Sequence, residues 1–220
     1  MKLEKQRKEI LEYGMKLYDA GLVHDGAGNI SVYDRESGLV AITPSAVPYT
    51  QRTSVEDIAV VDLEGNIIEG KWKTTVETNM HLAFYKNRDD INAVIHTHSP
   101  NALVFGIVGM EPLPVVVNDT ACMFGGPIPV ARWAPPGSPE LAQYTCEDVG
   151  KGYGAIMANH GLITCGPDLK FAFGATAVAE ATAEAVIKAR SMGVDVVSIP
   201  ADRHQGLHEM FTKHYGPKTA

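Results

Sequence analysis

The chain lacks any apolar run near the roughly 20 residues that a membrane-spanning helix requires. Its start, Met1-Lys-Leu-Glu-Lys-Gln-Arg-Lys-Glu9, is charged and helix-forming where a secretory signal would be apolar. These absences predict a soluble protein of the cytoplasm. Cysteine is scarce: Cys122, Cys146 and Cys165 are an odd set without metal-type spacing, which suits reduced thiols and argues against a disulfide framework. Basic charge is in deficit, with 19 Lys and Arg against 26 Asp and Glu. The resulting net charge of -7 argues against nucleic acid as a main partner but allows a local pocket for a small anion. No repeat, low-complexity tract or linker divides the chain. With 45% hydrophobic residues in 220 it can bury one sizeable core. The expectation is a single domain over 1–220, with a C-terminal tail from about 200.

What is present alternates between two periodicities. Residues 3–20 place Ile10, Leu11, Met15, Leu17 and Tyr18 at helical spacing, and Gly21 stops them. A glycine-rich turn, Asp25-Gly-Ala-Gly, then feeds the strand pattern Asn29-Ile-Ser-Val-Tyr33. Leu39–Thr43 reads as a strand ended by Pro44, and 58–68 as a hairpin turning at Glu64-Gly-Asn66. Helices are expected at 78–87, 101–108 and 168–192, with another capped by Ser138. Short strands are expected at 115–117 and 128–131, around the Gly125-Gly-Pro127 loop. Strands joined so often by hairpins favour a mainly antiparallel sheet covered by helices.

The most informative segment is Ala93-Val-Ile-His-Thr-His-Ser99. In a strand, alternate side chains share a face, so His96 and His98 project together, ~6.6 Å apart along the backbone. That is within reach of one metal ion, and a catalytic Zn²⁺ usually takes three protein ligands plus an open position. His160, at a strand end before Gly161, is the best third candidate. Glu77 stands where a helical pattern begins. It reads either as a fourth ligand or as a carboxylate favoured by the positive helix end. His24, His81, His204, His208 and His214 lack comparable pairing and read as structural or solvent-facing.

Taken together, Gly28-Asn29-Ile-Ser31, Thr43-Pro-Ser45, Glu77 with His81 and Tyr85, His96-Thr-His98 and Asn159-His-Gly-Leu162 resemble the class II aldolase/adducin family, in its L-fuculose-1-phosphate aldolase branch. The resemblance runs from about residue 5 to 192, with an echo at Phe211-Thr-Lys-His-Tyr-Gly216. It implies a three-layer α/β/α subunit with a central, mainly antiparallel sheet, assembled as a homotetramer with active sites between subunits. It makes His96, His98 and His160 zinc ligands and Glu77 a carboxylate that alternates between ligand and catalytic base. Phosphate would lie on Gly28, Asn29, Ser45, Ala46, Thr75 and Val76. Ala46 replaces the family's usual glycine, and Val76 has no hydroxyl. Backbone N–H groups there can still receive an anion. The branch's interface tyrosine is missing from Val115–Thr120, where Asn118 or Asp119 stands instead, and Tyr215 matches the family's mobile C-terminal tyrosine.

The resemblance therefore implies an aldolase splitting a ketose 1-phosphate into dihydroxyacetone phosphate and an aldehyde. A pentulose 5-phosphate 4-epimerase or related decarboxylase uses the same metal site. Glu77 favours the aldolase, and Asp119 keeps the epimerase in play. A non-enzymatic, adducin-like assembly module would require loss of the histidines, and all three are present.

Overall fold

The computed structural model describes residues 1–109 and 111–214. In chain order they form α1 (Glu4–Asp19), β1 (Asn29–Asp34), β2 (Leu39–Ile42), β3 (Ala59–Val61), β4 (Ile67–Glu69), α2 (Thr78–Asn87), β5 (Ala93–Thr97), α3 (Pro100–Val108), α4 (Asn118–Phe124), β6 (Val130–Ala131), α5 (Pro139–Val149), β7 (Gly154–Met157), β8 (Gly161–Gly166), α6 (Leu169–Ser191) and α7 (Ala201–His214). The strands make one sheet in the order β4-β3-β2-β1-β5-β8-β7-β6.

Strand alternation divides the core between two faces. Val40, Ile42, Val61, Val94 and Ile163 turn to one side, against Met80 and Phe84 of α2 and Leu141 of α5. Ile30, Ala41 and Ile95 turn to the other, against Ile10 and Leu17 of α1 and Ala172 of α6. Farther along that second face Ile156 and Leu162 meet Phe105 of α3 and Ala179 and Ala183 of α6. Helices thus cover both faces of the sheet. The alanines of α6 bring its backbone close to the strands, as small side chains permit.

The sheet is mixed, and its β6 edge departs from the expected antiparallel arrangement. β6 runs parallel to β7 because α5 carries the chain from one to the other as a crossover. The remaining neighbours, from β4 through β1 and β5 to β7, pair antiparallel. The strand expected at 115–117 does not form. Pro112 and Pro114 flank Leu113, and Pro127 and Pro129 flank Ile128, so pairing there stops at the single Leu113–Ile128 bridge. Beyond residue 200, within the expected C-terminal tail, α7 packs on α4, and His208 Nδ1 lies 2.7 Å from the Cys122 carbonyl.

Register brings the site together. Asn29 opens β1 opposite His96, and Thr97 lies opposite Leu162, one residue past Gly161. The histidines of β5 and of the β7–β8 turn therefore emerge at one end of the sheet, beside the start of α2. Glu180 of α6 secures the exit from β5: its carboxylate accepts from the backbone N–H groups of Asn101 and Ala102, both at 2.9 Å. The first turn of α3 is thereby fixed directly after His98.

Candidate active site

His96 is fully buried on β5, and its Nδ1–H donates to the Leu162 carbonyl at 3.0 Å. That bond leaves the Nε2 lone pair facing His98 and His160, whose rings lie 5.1 and 4.8 Å from its own. One ligand nitrogen from each ring falls within 4.8 Å of the others. Glu77, at the start of α2, faces this group with Oε1 3.1 Å from His160 Nε2 and Oε2 3.4 Å from His96 Nε2. Even so, His96 Nε2 and Glu77 Oε1 are buried without a hydrogen-bond partner. Unpartnered acceptors buried in one cluster are costly unless a cation lies among them, so these residues fit a divalent metal on chemical grounds.

The electrostatics agree with that donor set. Burial pulls His96 down to about 4, against the opposing pull of Glu77, and burial also lowers His98. Neutral imidazoles keep their lone pairs for a metal. For Glu77, burial opposes the charge, but His96, His160 and the Asn29 amide outweigh it and hold the carboxyl well below the usual range. The side chain is a carboxylate.

A cleft of about 540 Å³ opens in front of Glu77, lined by Gly28, Asn29, Ser45, Ala46, Thr75, Val76, His98 and His160 among others. The phosphate residues expected from the resemblance thus share one cavity with Glu77, His98 and His160, while His96 is buried behind it. Gly28 is required there: its φ is +78°, and a Cβ would stand 2.8 Å from the His96 carbonyl oxygen. The Asn29 side chain is already committed, with Nδ2 donating to Glu77 Oε2 at 2.8 Å and to Thr75 Oγ1 at 3.1 Å. Val76 is 66% exposed at the mouth. Asp119 does not join the group within the chain. It lies in the first turn of α4, in a separate groove with Cys122, Met123, Val178 and Met210. Tyr215 lies outside the described residues.

Ala46 adopts φ +55°, a left-handed conformation that costs a residue with a Cβ ~1–2 kcal/mol. Ala46→Gly removes that strain but adds ~0.4–1 kcal/mol of unfolded-chain entropy. The expected net gain is about 0–1.6 kcal/mol, read as a rise of at most about 6 °C in thermal midpoint.

Sequence reasoning left His81 among the structural histidines, yet it is completely buried immediately behind Asn29. The available signal was spacing: Glu77, His81 and Tyr85 recur every four residues and so share one face of α2.

The family described as "Class II Aldolase and Adducin N-terminal domain" matches residues 8–187. The chain belongs to the class II aldolase and adducin family. It is 38% identical over 212 residues to a 5-deoxy-D-ribulose 1-phosphate aldolase of Bacillus thuringiensis serovar kurstaki, covering 96% of this chain and 97% of that one. A solved L-fuculose 1-phosphate aldolase superposes with a TM-score of 0.91 at 33% identity, covering 96% of this chain and 98% of its own. An L-ribulose-5-phosphate 4-epimerase of Salmonella typhi is 37% identical over 130 residues, 59% of this chain and 56% of that enzyme. Among the members of this class II family, the chain is an enzyme of the metal-dependent aldehyde-lyase kind. No helix of the described residues is long and apolar enough to cross a membrane.

Proposed function

We propose that the chain is a zinc-dependent aldolase that splits a ketose 1-phosphate, L-fuculose 1-phosphate or a similar deoxy-ketose phosphate, into dihydroxyacetone phosphate and an aldehyde. The observation that carries this reading is the buried Glu77 carboxylate set against three converging imidazoles at the floor of an open cleft. His96, His98 and His160, with Glu77 as an exchangeable fourth ligand, would hold the ion. Bound there, zinc supplies Lewis acidity, stabilising negative charge on the ketose oxygens.

The remaining chemistry falls to the chain. In cleavage the C4 hydroxyl loses its proton, the C3–C4 bond breaks to release the aldehyde, and the electron pair passes to the C2 carbonyl as an enediolate. Protonation at C3 then gives dihydroxyacetone phosphate. Glu77 is the group at the floor of the cleft able to take and return a proton at C3, a role that needs hydrogen-bond reach of that carbon. Phosphate would rest on the Ser45–Ala46 turn and the Thr75–Val76 segment, which line the cleft. Asp119 and Tyr215 would serve the aldehyde half of a neighbouring subunit's site in a homotetramer, since Asp119 faces away from the cleft of its own chain.

A pentulose 5-phosphate 4-epimerase would share this metal site. Glu77 and the end-to-end match to a ketose 1-phosphate aldolase favour the lyase. The test loads purified protein with zinc and follows dihydroxyacetone phosphate by its enzymatic reduction. L-fuculose 1-phosphate, 5-deoxyribulose 1-phosphate and L-ribulose 5-phosphate serve as substrates. Release is expected from one or both 1-phosphates, and to cease on chelation. Epimer formation from the 5-phosphate with no release from either 1-phosphate would overturn the assignment.

A further inference from the structure

Behind Glu77 runs a line of buried polar side chains that neither the metal nor the proposed chemistry touches. Asn29 and Ser31 stand two residues apart on one face of β1, while Glu77, His81 and Tyr85 stand four apart on one face of α2. Packed together, the two faces interleave. Asn29 lies against Glu77 and His81, and Ser31 lies between His81 and Tyr85, with Oγ 2.7 Å from His81 Nδ1 and 2.6 Å from Tyr85 Oη. Ser31 and His81 are fully buried, and Tyr85 and Asn29 nearly so.

The donors in this line point one way. A carboxylate only accepts, so the Asn29 amide must turn its NH₂ toward Glu77 Oε2 and Thr75 Oγ1. Its carbonyl oxygen then faces His81 Nε2, which must be the protonated nitrogen. With Nε2–H given to Asn29 and the ring fully buried, Nδ1 is left to accept from the Ser31 hydroxyl at 2.7 Å. Ser31 Oγ in turn accepts from the Tyr85 hydroxyl. Reversing any link would turn the Asn29 carbonyl toward the Glu77 carboxylate, acceptor against anion. Both amide N–H groups of Asn29 are consumed in this arrangement, which leaves phosphate to the backbone and the Ser45 turn.

We propose that Tyr85, Ser31 and His81 form an orienting chain that fixes the Asn29 amide and, through it, the carboxylate of Glu77, so that His81 is a positioning residue for the reaction. The role rests on Glu77 being the carboxylate beside the metal. Partners that orient a metal-site group typically change metal affinity or turnover by ~10–100-fold when removed.

The first measurement is free of metal and of substrate. In metal-free protein, ¹⁵N chemical shifts of the His81 ring should show the neutral Nε2–H tautomer. Ser31→Ala, which removes the donor to Nδ1 but leaves the Nε2–H bond to Asn29, should keep that tautomer and shift the Nδ1 resonance as the bare nitrogen loses its hydrogen bond. The second compares His81→Leu with His81→Gln, the latter presenting an amide N–H near the position of Nε2. His81→Leu is expected to lower kcat or zinc affinity ~10–100-fold with KM little changed and the protein still folded by its melting curve. His81→Gln should recover most of that loss. An Nδ1–H tautomer in the wild-type protein, or a folded His81→Leu with wild-type kcat and zinc affinity, would overturn the proposal. If His81→Leu does not fold, the tautomer and the Ser31→Ala response decide it. If no ketose phosphate is cleaved by the wild type, the functional reading fails, while the tautomer and zinc affinity still report on the chain of hydrogen bonds.

Discussion

Glu77→Gln should retain bound zinc and lose turnover by ~10² to 10⁴, the usual cost of removing a positioned general base. The substitution preserves length and lets the Asn29 amide keep a carbonyl acceptor at the position of Oε2. It removes the charge and the ability to take a proton. Three imidazoles remain, with His96 still locked through Nδ1 to the Leu162 carbonyl, so the metal has its ligands. Fold should survive, because a neutral amide in a buried site demands less solvation than a carboxylate. Metal content by elemental analysis beside kcat for dihydroxyacetone phosphate release reads the two effects separately. Zinc bound with wild-type turnover would reduce Glu77 to the carboxylate that begins α2, and the proposed base would have to be another group.

That outcome bears on how much of the site was legible in the sequence. His96 and His98 were found because strand alternation is a local rule: His98, one residue past the end of β5, returns to the face of His96. His160 was found by its place before Gly161 at a strand turn, and β7 and β8 do meet there. The boundaries of α2 and α6 followed from local pattern in the same way.

What escaped depends on distant partners. The orientation of the Asn29 amide depends on Glu77 and His81, 48 and 52 residues away, which its neighbours in sequence do not reveal. The parallel β6–β7 edge depends on where α5 returns the chain, and α7 on the surface that α4 offers. The strand expected at 115–117 failed for a reason that was present in the sequence. Four prolines around Leu113 and Ile128 leave too few backbone donors to extend a ladder. Asp119 lies in a groove on α4, away from the Glu77 of its own chain, a placement that no local pattern in the sequence specifies.

Gly161→Ala should cost both stability and metal, which separates it from Glu77→Gln. The glycine is needed here for space. A Cβ at 161 would overlap the Thr97 carbonyl oxygen and come within 3.0 Å of His96 Cε1 and 3.3 Å of His98 Cδ2. A flexible side chain could rotate away from such a contact, but a backbone carbonyl in a paired strand cannot. β5 and β8 must therefore separate where Thr97 lies opposite Leu162, the point from which His96 and His98 project. Overpacking of this kind costs ~1–3 kcal/mol, and a displaced ligand frame should weaken zinc by at least ~10-fold. The expected signature is a lower melting temperature with turnover that returns in part as zinc is raised, since the base is still present. Glu77→Gln should show no such recovery. Unchanged zinc affinity in Gly161→Ala would mean that the β5–β8 contact does not set the positions of the histidines.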